Sequence, residues 1–267
     1  MDQFGFVFPG QGSQKLAMLK ELAELHPEVG ATFAEASEVL QRDLWEIAQV
    51  DSENLLDRTD ITQPILLTAS IAIWRVWQAQ GGAMPSLLAG HSLGEYSALV
   101  CAEVISFRNA VTLVNRRGLY MQNAVPPGLG KMAAIVGLDN EAIEKACQEA
   151  AQGAVVSAAN FNSAGQTVIA GEAEAVERAM ALCKEAGAKR ALPLKVSVPS
   201  HCALMQPAAD ELAEDLEGIE FSEAKIPVVQ NATARLVSDP TLIKQNLLSQ
   251  LDRKSTRLNS SHKALSR

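Results

Sequence analysis

A chain of 267 residues can bury a sizeable core and suits one large domain or a domain carrying an inserted subdomain. Its formal charge of −8 argues against a general nucleic-acid binder, and its abundant small aliphatic residues with few aromatics predict an aliphatic, helix-rich core. Four scattered cysteines without CxxC spacing, no leader-like opening and no apolar run longer than 64–77 exclude a disulfide or zinc framework and a membrane span, and predict a cytoplasmic protein.

The apolar run 4–8 ends at Pro9-Gly10-Gln11-Gly12 and predicts a buried strand followed by a tight loop. Helices are predicted over 15–25, 32–49 and 62–80, the last strongly apolar. A short strand, 86–89, leads into Gly90-His91-Ser92-Leu93-Gly94, and helices follow over 95–103 and 107–122. The loop Pro126-Pro127-Gly128-Leu129-Gly130 mixes stiff and flexible residues and marks a subdomain boundary. After it come a strand at 132–136, a helix at 141–151, strands at 154–160 and 166–170, a helix at 173–186 and a strand at 191–196. That β-α-β-β-α-β order is ferredoxin-like. A helix over 203–216 and a strand over 226–231 complete the reading. The fold class is therefore α/β: a hydrolase-like main domain with a parallel-sheet core (1–125 and 198–251) and an inserted ferredoxin-like α+β subdomain (126–197). Residues 252–267 are basic, Ser-rich and aperiodic, and read as a solvated or foreign tail.

GxSxG between a strand and a helix is a nucleophile elbow. The sharp turn places Ser92 in strained backbone angles, and side chains larger than Gly nearby would collide with the helix. The serine then stands at a helix N-terminus, where the Leu93 N–H can face a developing oxyanion. The bland alternative is a serine that only caps a helix. A base is needed, and there are four histidines. His91 lies inside the elbow, His26 in a Leu-His-Pro turn and His262 in the tail. His201, stiffened by Pro199 and placed just before a helix, remains as general base. Asp139 and Asp210 are available as a third member, although neither lies in an obvious strand-end loop, and a carbonyl or amide could orient the histidine instead. The loop after the first strand can present the Gln11 N–H as a second oxyanion donor; it lacks the GxxxxGK[ST] pattern of a phosphate loop. Arg116 and Arg117 are either two solvated arginines or one solvated and one turned inward to fork onto a carboxylate, and spacing does not choose between them.

FVFPGQGSQ, ITQPILLTAS, AGHSLGEYSALVCAEVISF, RRGLYMQNAVPPGLGKMAAIVGL, NFNSAGQTVIAG and KRALPLKVSVPSHCALMQPAADEL, in this order, make the chain resemble the malonyl-CoA:acyl carrier protein transacylase family of dissociated fatty acid synthesis. The resemblance runs from residue 1 to about 251. It implies that Ser92 carries malonyl as an ester and that His201 shuttles the proton. Gln11 and Leu93 would supply oxyanion N–H groups. Arg117 would grip the malonyl carboxylate, with Gln63 and Asn160 lining the pocket, and a carbonyl near Gln250 would orient His201. It implies malonyl-CoA and a phosphopantetheinylated acyl carrier protein as substrates, with no metal or redox cofactor, no nucleic acid, no membrane and a monomeric enzyme. Lys189, Arg190 and Lys195 are candidate contacts for the carrier protein, as are Arg116 and Lys131. One departure is Ala164, where the family usually has Pro. The family continues past residue 251 where this chain has its tail, so a shortened, inactive chain is one alternative; a serine esterase or thioesterase on the same elbow is a second, and an acyltransferase of different acyl choice, which the HSLGEYS and VPSH wording disfavours, is a third.

Overall fold

The computed structural model describes residues 4–194 and 198–252 and the backbone of 255–256. The chain groups into two compact units. One comprises residues 1–119, 215–230 and 236–243, and the other 120–214, 231–235 and 244–267.

The first unit is built on a four-stranded sheet. Strands β1 (Gly5–Phe8) and β2 (Leu87–Gly90) pair in parallel, from Gly5 opposite Leu87 to Phe8 opposite Gly90. Strand β7 (Val228–Val229) continues the parallel order beside β2, and β8 (Leu236–Val237) closes the edge antiparallel to β7. Helices α1 (Lys20–Leu25), α2 (Pro27–Leu40), α3 (Leu44–Gln49) and α4 (Thr59–Ala79) lie between the first two strands in sequence. The expected helix over 15–25 is shorter than predicted because Ala17 and Leu19 adopt left-handed backbone, with φ 61° and 62°. The expected single helix over 32–49 is two. Gln41 turns left-handed at φ 51°, and Asp43 accepts a hydrogen bond from the Glu46 N–H to start α3 afresh. Residues 59–72 of α4 are buried throughout, and the helix packs on α2 and α5 (Leu93–Cys101). An all-round apolar helix inside a globular unit follows from its sequence.

Pro64 sits within α4 and removes the N–H that would serve the Asp60 carbonyl one turn earlier. The Asn115 side-chain amide takes its place, donating to that carbonyl at 2.8 Å from helix α6 (Phe107–Ala124). A Cβ on Gly118 would lie 2.5 Å from Asp60 Cα and 2.7 Å from the Thr59 carbonyl oxygen. Only glycine therefore permits this approach of α6 to the start of α4.

The second unit carries β3 (Gly130–Val136), α7 (Asn140–Ala151), β4 (Val156–Ser163), β5 (Gln166–Glu172), α8 (Ala173–Glu185) and β6 (Arg190–Pro193). The sheet order β6-β3-β5-β4 puts the first and third strands of the motif in the centre, all pairs antiparallel, as a ferredoxin-like unit requires. Ala133, Ile135, Ile143, Cys147, Val176, Ala179 and Cys183 fill the layer between sheet and helices. Residues 198–214 group with this unit and not with the parallel sheet, where they were expected. Pro199 packs so tightly on Gly130 that a Cβ there would lie 2.4 Å from Pro199 Cγ. Cys202 and Leu204 join Met132, Ala134 and Val168 on the sheet's other face. A short 3-10 turn at Ala203–Met205 leads into α9 (Gln206–Glu217). Helix α10 (Pro240–Asp252) was not anticipated from its sequence. Within the expected tail, Ser255–Thr256 form β9, parallel to β4 at Asn160 and Phe161; the other residues after 252 lie outside those described.

Candidate active site

Strand β2 ends at Gly90, and Ser92 turns the chain into α5 with φ 51° and ψ −104°, a sparsely populated conformation for a residue with a side chain. The flanking glycines are sterically required. A Cβ on Gly90 would lie 1.9 Å from the Gly94 carbonyl carbon, and one on Gly94 would lie 2.2 Å from the Phe8 carbonyl oxygen. Glycine at both positions lets strand β1, the elbow and α5 meet backbone to backbone. The Leu93 N–H is the first amide of α5, a position that no carbonyl of the same helix can serve. Gly10, too, is confined: a Cβ there would lie 2.5 Å from the His91 carbonyl oxygen. The loop 9–13 is held by Ser13 Oγ donating to the Gly10 carbonyl at 2.7 Å and by Gln11 Nε2 donating to Thr59 Oγ1 at 3.2 Å.

The two adjacent arginines part company. Arg116 faces outward, half exposed, in an ion pair of 2.7 Å with Asp215. Arg117 is 1% exposed, the largest fully buried side chain among the described residues. Its Nη1 donates to Gln63 Oε1 at 2.6 Å and its Nη2 donates to Ser92 Oγ at 3.2 Å. Its Cζ lies 5.4 Å from the centroid of the Tyr96 ring. Burial lowers the Arg117 pKa from its ordinary value, while Tyr96 and the buried Glu95 oppose that shift. Burial likewise pushes the Tyr96 hydroxyl up to about 12. A buried guanidinium beside a serine hydroxyl is suited to an acyl group that ends in a carboxylate.

In the second unit, His201 is 3% exposed and takes a left-handed φ of 62°. Its Nδ1 lies 2.5 Å from the Gln250 carbonyl oxygen. A carbonyl only accepts, so Nδ1 carries a proton, and in the neutral ring Nε2 then keeps the lone pair a general base needs. The carbonyl occupies the place at Nδ1 that a triad acid would take. Asp139 instead caps α7 through the Ala142 N–H, and Asp210 accepts from Gln206 Nε2 on an exposed face. Asn160 is buried in β4 beside a register shift between Ala158 and Asn160. Of the expected residues, the first unit thus brings together Ser92, Leu93, Gln63 and Arg117, with Gln11 tied to the same end of α4. The second brings His201 to Gln250 and places Asn160 on its sheet.

Tyr96, Asn115 and Gly118 were not singled out by sequence reasoning as site residues. Tyr96 was visible, four residues after the nucleophile and so on the same helical face. Gly118 directly after the arginines was a second signal, since glycine inside a helix is unfavourable unless something packs against it.

The acyl transferase domain family matches residues 5–262, a span that passes residue 251 and takes in part of the tail expected to be foreign. The malonyl CoA-acyl carrier protein transacylase of Salmonella typhimurium is 61% identical over 251 residues, which cover 94% of this chain and 81% of that protein. Its counterpart from Bacillus subtilis is 45% identical over 252 residues, covering 94% and 79%. An acyl carrier protein S-malonyltransferase from Vibrio cholerae has a TM-score of 0.96 at 58% identity, covering 99% of this chain and 87% of that one. A malonyl-transacylase solved in complex with a type II PKS acyl-carrier protein has a TM-score of 0.97 at 58% identity, covering 99% and 86%. With the elbow, the buried arginine and the carbonyl-oriented histidine in place, and with this extent of similarity, the chain belongs to the acyl transferase domain family.

Proposed function

We propose that the chain transfers malonyl from malonyl-CoA to the phosphopantetheine thiol of an acyl carrier protein through an ester on Ser92, supplying fatty acid synthesis. The observation that carries this reading is Arg117, buried and donating to the oxygen of the elbow serine at 3.2 Å. An esterase for neutral acyl groups has no use for a buried guanidinium at its nucleophile, where desolvation is costly. Proteins similar to this chain over most of its length carry the transacylase name.

In the first half-reaction Ser92 Oγ attacks the thioester carbonyl carbon while His201 Nε2 takes its proton. The C–S bond breaks, and the proton passes from His201 to the departing CoA sulfur. In the second, the carrier thiol gives its proton to His201 and its sulfur attacks the ester carbon. The C–O bond breaks, and Ser92 recovers the proton. The N–H groups of Gln11 and Leu93 stabilise both tetrahedral intermediates, a donor of this kind contributing about 3 kcal/mol. Arg117 forks onto the malonyl carboxylate, positioned by Gln63, and Asn160 contributes to the acyl-binding surface. Gln250 holds the histidine tautomer. One thioester is exchanged for another, so the reaction calls for no metal or redox cofactor, and we assign the enzyme to the cytoplasm as a monomer.

For carrier docking, Lys189 and Arg190 are exposed at the start of β6. Arg116 and Lys131 are already ion-paired with Asp215 and Glu177, and Lys195 lies outside the described residues. The test of the reading is intact mass after brief exposure to malonyl-CoA. A malonyl-sized gain that is absent in Ser92→Ala and discharged by holo carrier protein is expected. Persistent lack of a gain rejects the assignment of Ser92, and spontaneous loss to water as fast as to the carrier favours the esterase.

A further inference from the structure

We infer that Tyr96 is a specificity-determining positioning residue, whose ring is the platform that holds the Arg117 guanidinium in the orientation that accepts an acyl carboxylate. The inference rests on the malonyl reading above and adds to it the residue that sets acyl choice from beneath the arginine.

Arginine reaches Ser92 through a long, rotatable side chain, so its fork must be fixed by something other than its own backbone. Gln63 Oε1 accepts from Nη1 at 2.6 Å and Ser92 Oγ from Nη2 at 3.2 Å. The Tyr96 ring, with its centroid 5.4 Å from Cζ, restrains the guanidinium from its face. A guanidinium within about 6 Å of an aromatic centroid is attracted to the ring, most strongly where water is excluded. Tyr96 is fully buried and Arg117 is 1% exposed, so this pair is dry.

The placement follows from the elbow. Tyr96 lies four residues after Ser92 in the first turns of α5, on the face that the serine occupies. The turn that presents the nucleophile therefore also presents the platform for the arginine. Burial keeps the Tyr96 hydroxyl protonated well above neutral pH, so the ring offers Arg117 a face without adding a negative charge that would compete with the substrate's carboxylate. The buried carboxyl of Glu95, one residue earlier, acts on Arg117 and Tyr96 together.

The experiment measures the rate of Ser92 acylation by malonyl-CoA and by acetyl-CoA, read as intact mass, in the full chain and in Tyr96→Phe, Tyr96→Leu and Tyr96→Met. Tyr96→Phe keeps the ring and is expected to hold the malonyl-to-acetyl ratio to within about twofold. Tyr96→Leu is expected to lower the ratio about tenfold, through loss of the malonyl rate with the acetyl rate retained. Tyr96→Met fills similar volume without a π face and gives the same reading should the leucine variant not fold. An unchanged ratio in the leucine or methionine variant overturns the inference, and so does an equal fall of both rates, which marks a merely structural role. An equal loss in the phenylalanine variant also overturns it, by moving the effect to the hydroxyl. Failure of the unaltered chain to acylate Ser92 at all strikes the malonyl reading itself, and the inference falls with it.

Discussion

Arg117 concentrates the chemistry of the proposed reaction in one side chain. Its guanidinium is 1% exposed, with Gln63, Ser92 and the Tyr96 face among its partners, and burying a cation is costly. On the proposed reading a substrate carboxylate joins these acceptors, and binding selects acyl groups that bring one. Arg117→Ala is expected to lower the Ser92 acylation rate with malonyl-CoA by about a hundredfold or more, the usual effect of removing one partner of a buried charged pair. Acetyl-CoA, which has no carboxylate to lose, should be spared. Arg117→Lys keeps the charge and loses the fork, and should recover only part of the preference. Malonyl-to-acetyl discrimination that survives in the alanine variant contradicts the assignment.

Between elements, the decisive contact is that of α6 with the start of α4. Pro64 leaves the Asp60 carbonyl without a helical donor, Asn115 supplies one, and Gly118 admits the backbone approach. Gln63 and Arg117, the residues that meet at 2.6 Å, lie on the two helices joined in this way. Thr59 in the same turn also accepts from Gln11, so the loop that carries the proposed oxyanion donor is tied to the same helix end. Gly118→Ala forces a Cβ against the Asp60 and Thr59 backbone, which cannot yield as a side chain can. Overpacking of this kind costs about 1–3 kcal/mol of stability, seen as a lower urea midpoint. The shift of Arg117 from Gln63 should also cut malonyl transfer by about tenfold or more, since misplacement by an ångström can cost a hundredfold. A stable, fully active Gly118→Ala would show that the two helices tolerate separation.

For the whole molecule, charge sets the problem. The chain carries −8, so on the proposed reading a carrier protein, were it acidic too, would dock through a local basic surface. Lys189 and Arg190 are exposed at the edge strand β6, and Gly137 leaves room for the Lys189 stem to lie along the turn after β3. Reversal of both to Glu is expected to raise the KM for carrier protein by about tenfold at low salt and to leave acylation by malonyl-CoA unchanged. Stopped acylation and carrier titrations on the same preparation separate the two half-reactions. Equal loss of both would remove this surface from consideration.

Much of the site could be read in the sequence because the elbow is local. Gly90 and Gly94 are required by contacts within a strand, a turn and a helix, and the spacing of GxSxG records that crowding directly. The β-α-β-β-α-β order was legible for the same reason, each element announcing itself by its own period. What the sequence left open was settled by distant backbones. The spacing gave Arg116 and Arg117 equal standing, and the approach of α6 to α4 turned one inward and left the other to Asp215. The spacing offered Asp139, Asp210 or a carbonyl as partners for a histidine, and only the family resemblance pointed to Gln250; the fold brings that carbonyl, 49 residues away on a helix whose period did not announce it, to Nδ1. Local sterics are written in neighbouring residues, whereas the direction of a long side chain and the partner of a buried ring nitrogen depend on which helices and strands come close enough to exclude water.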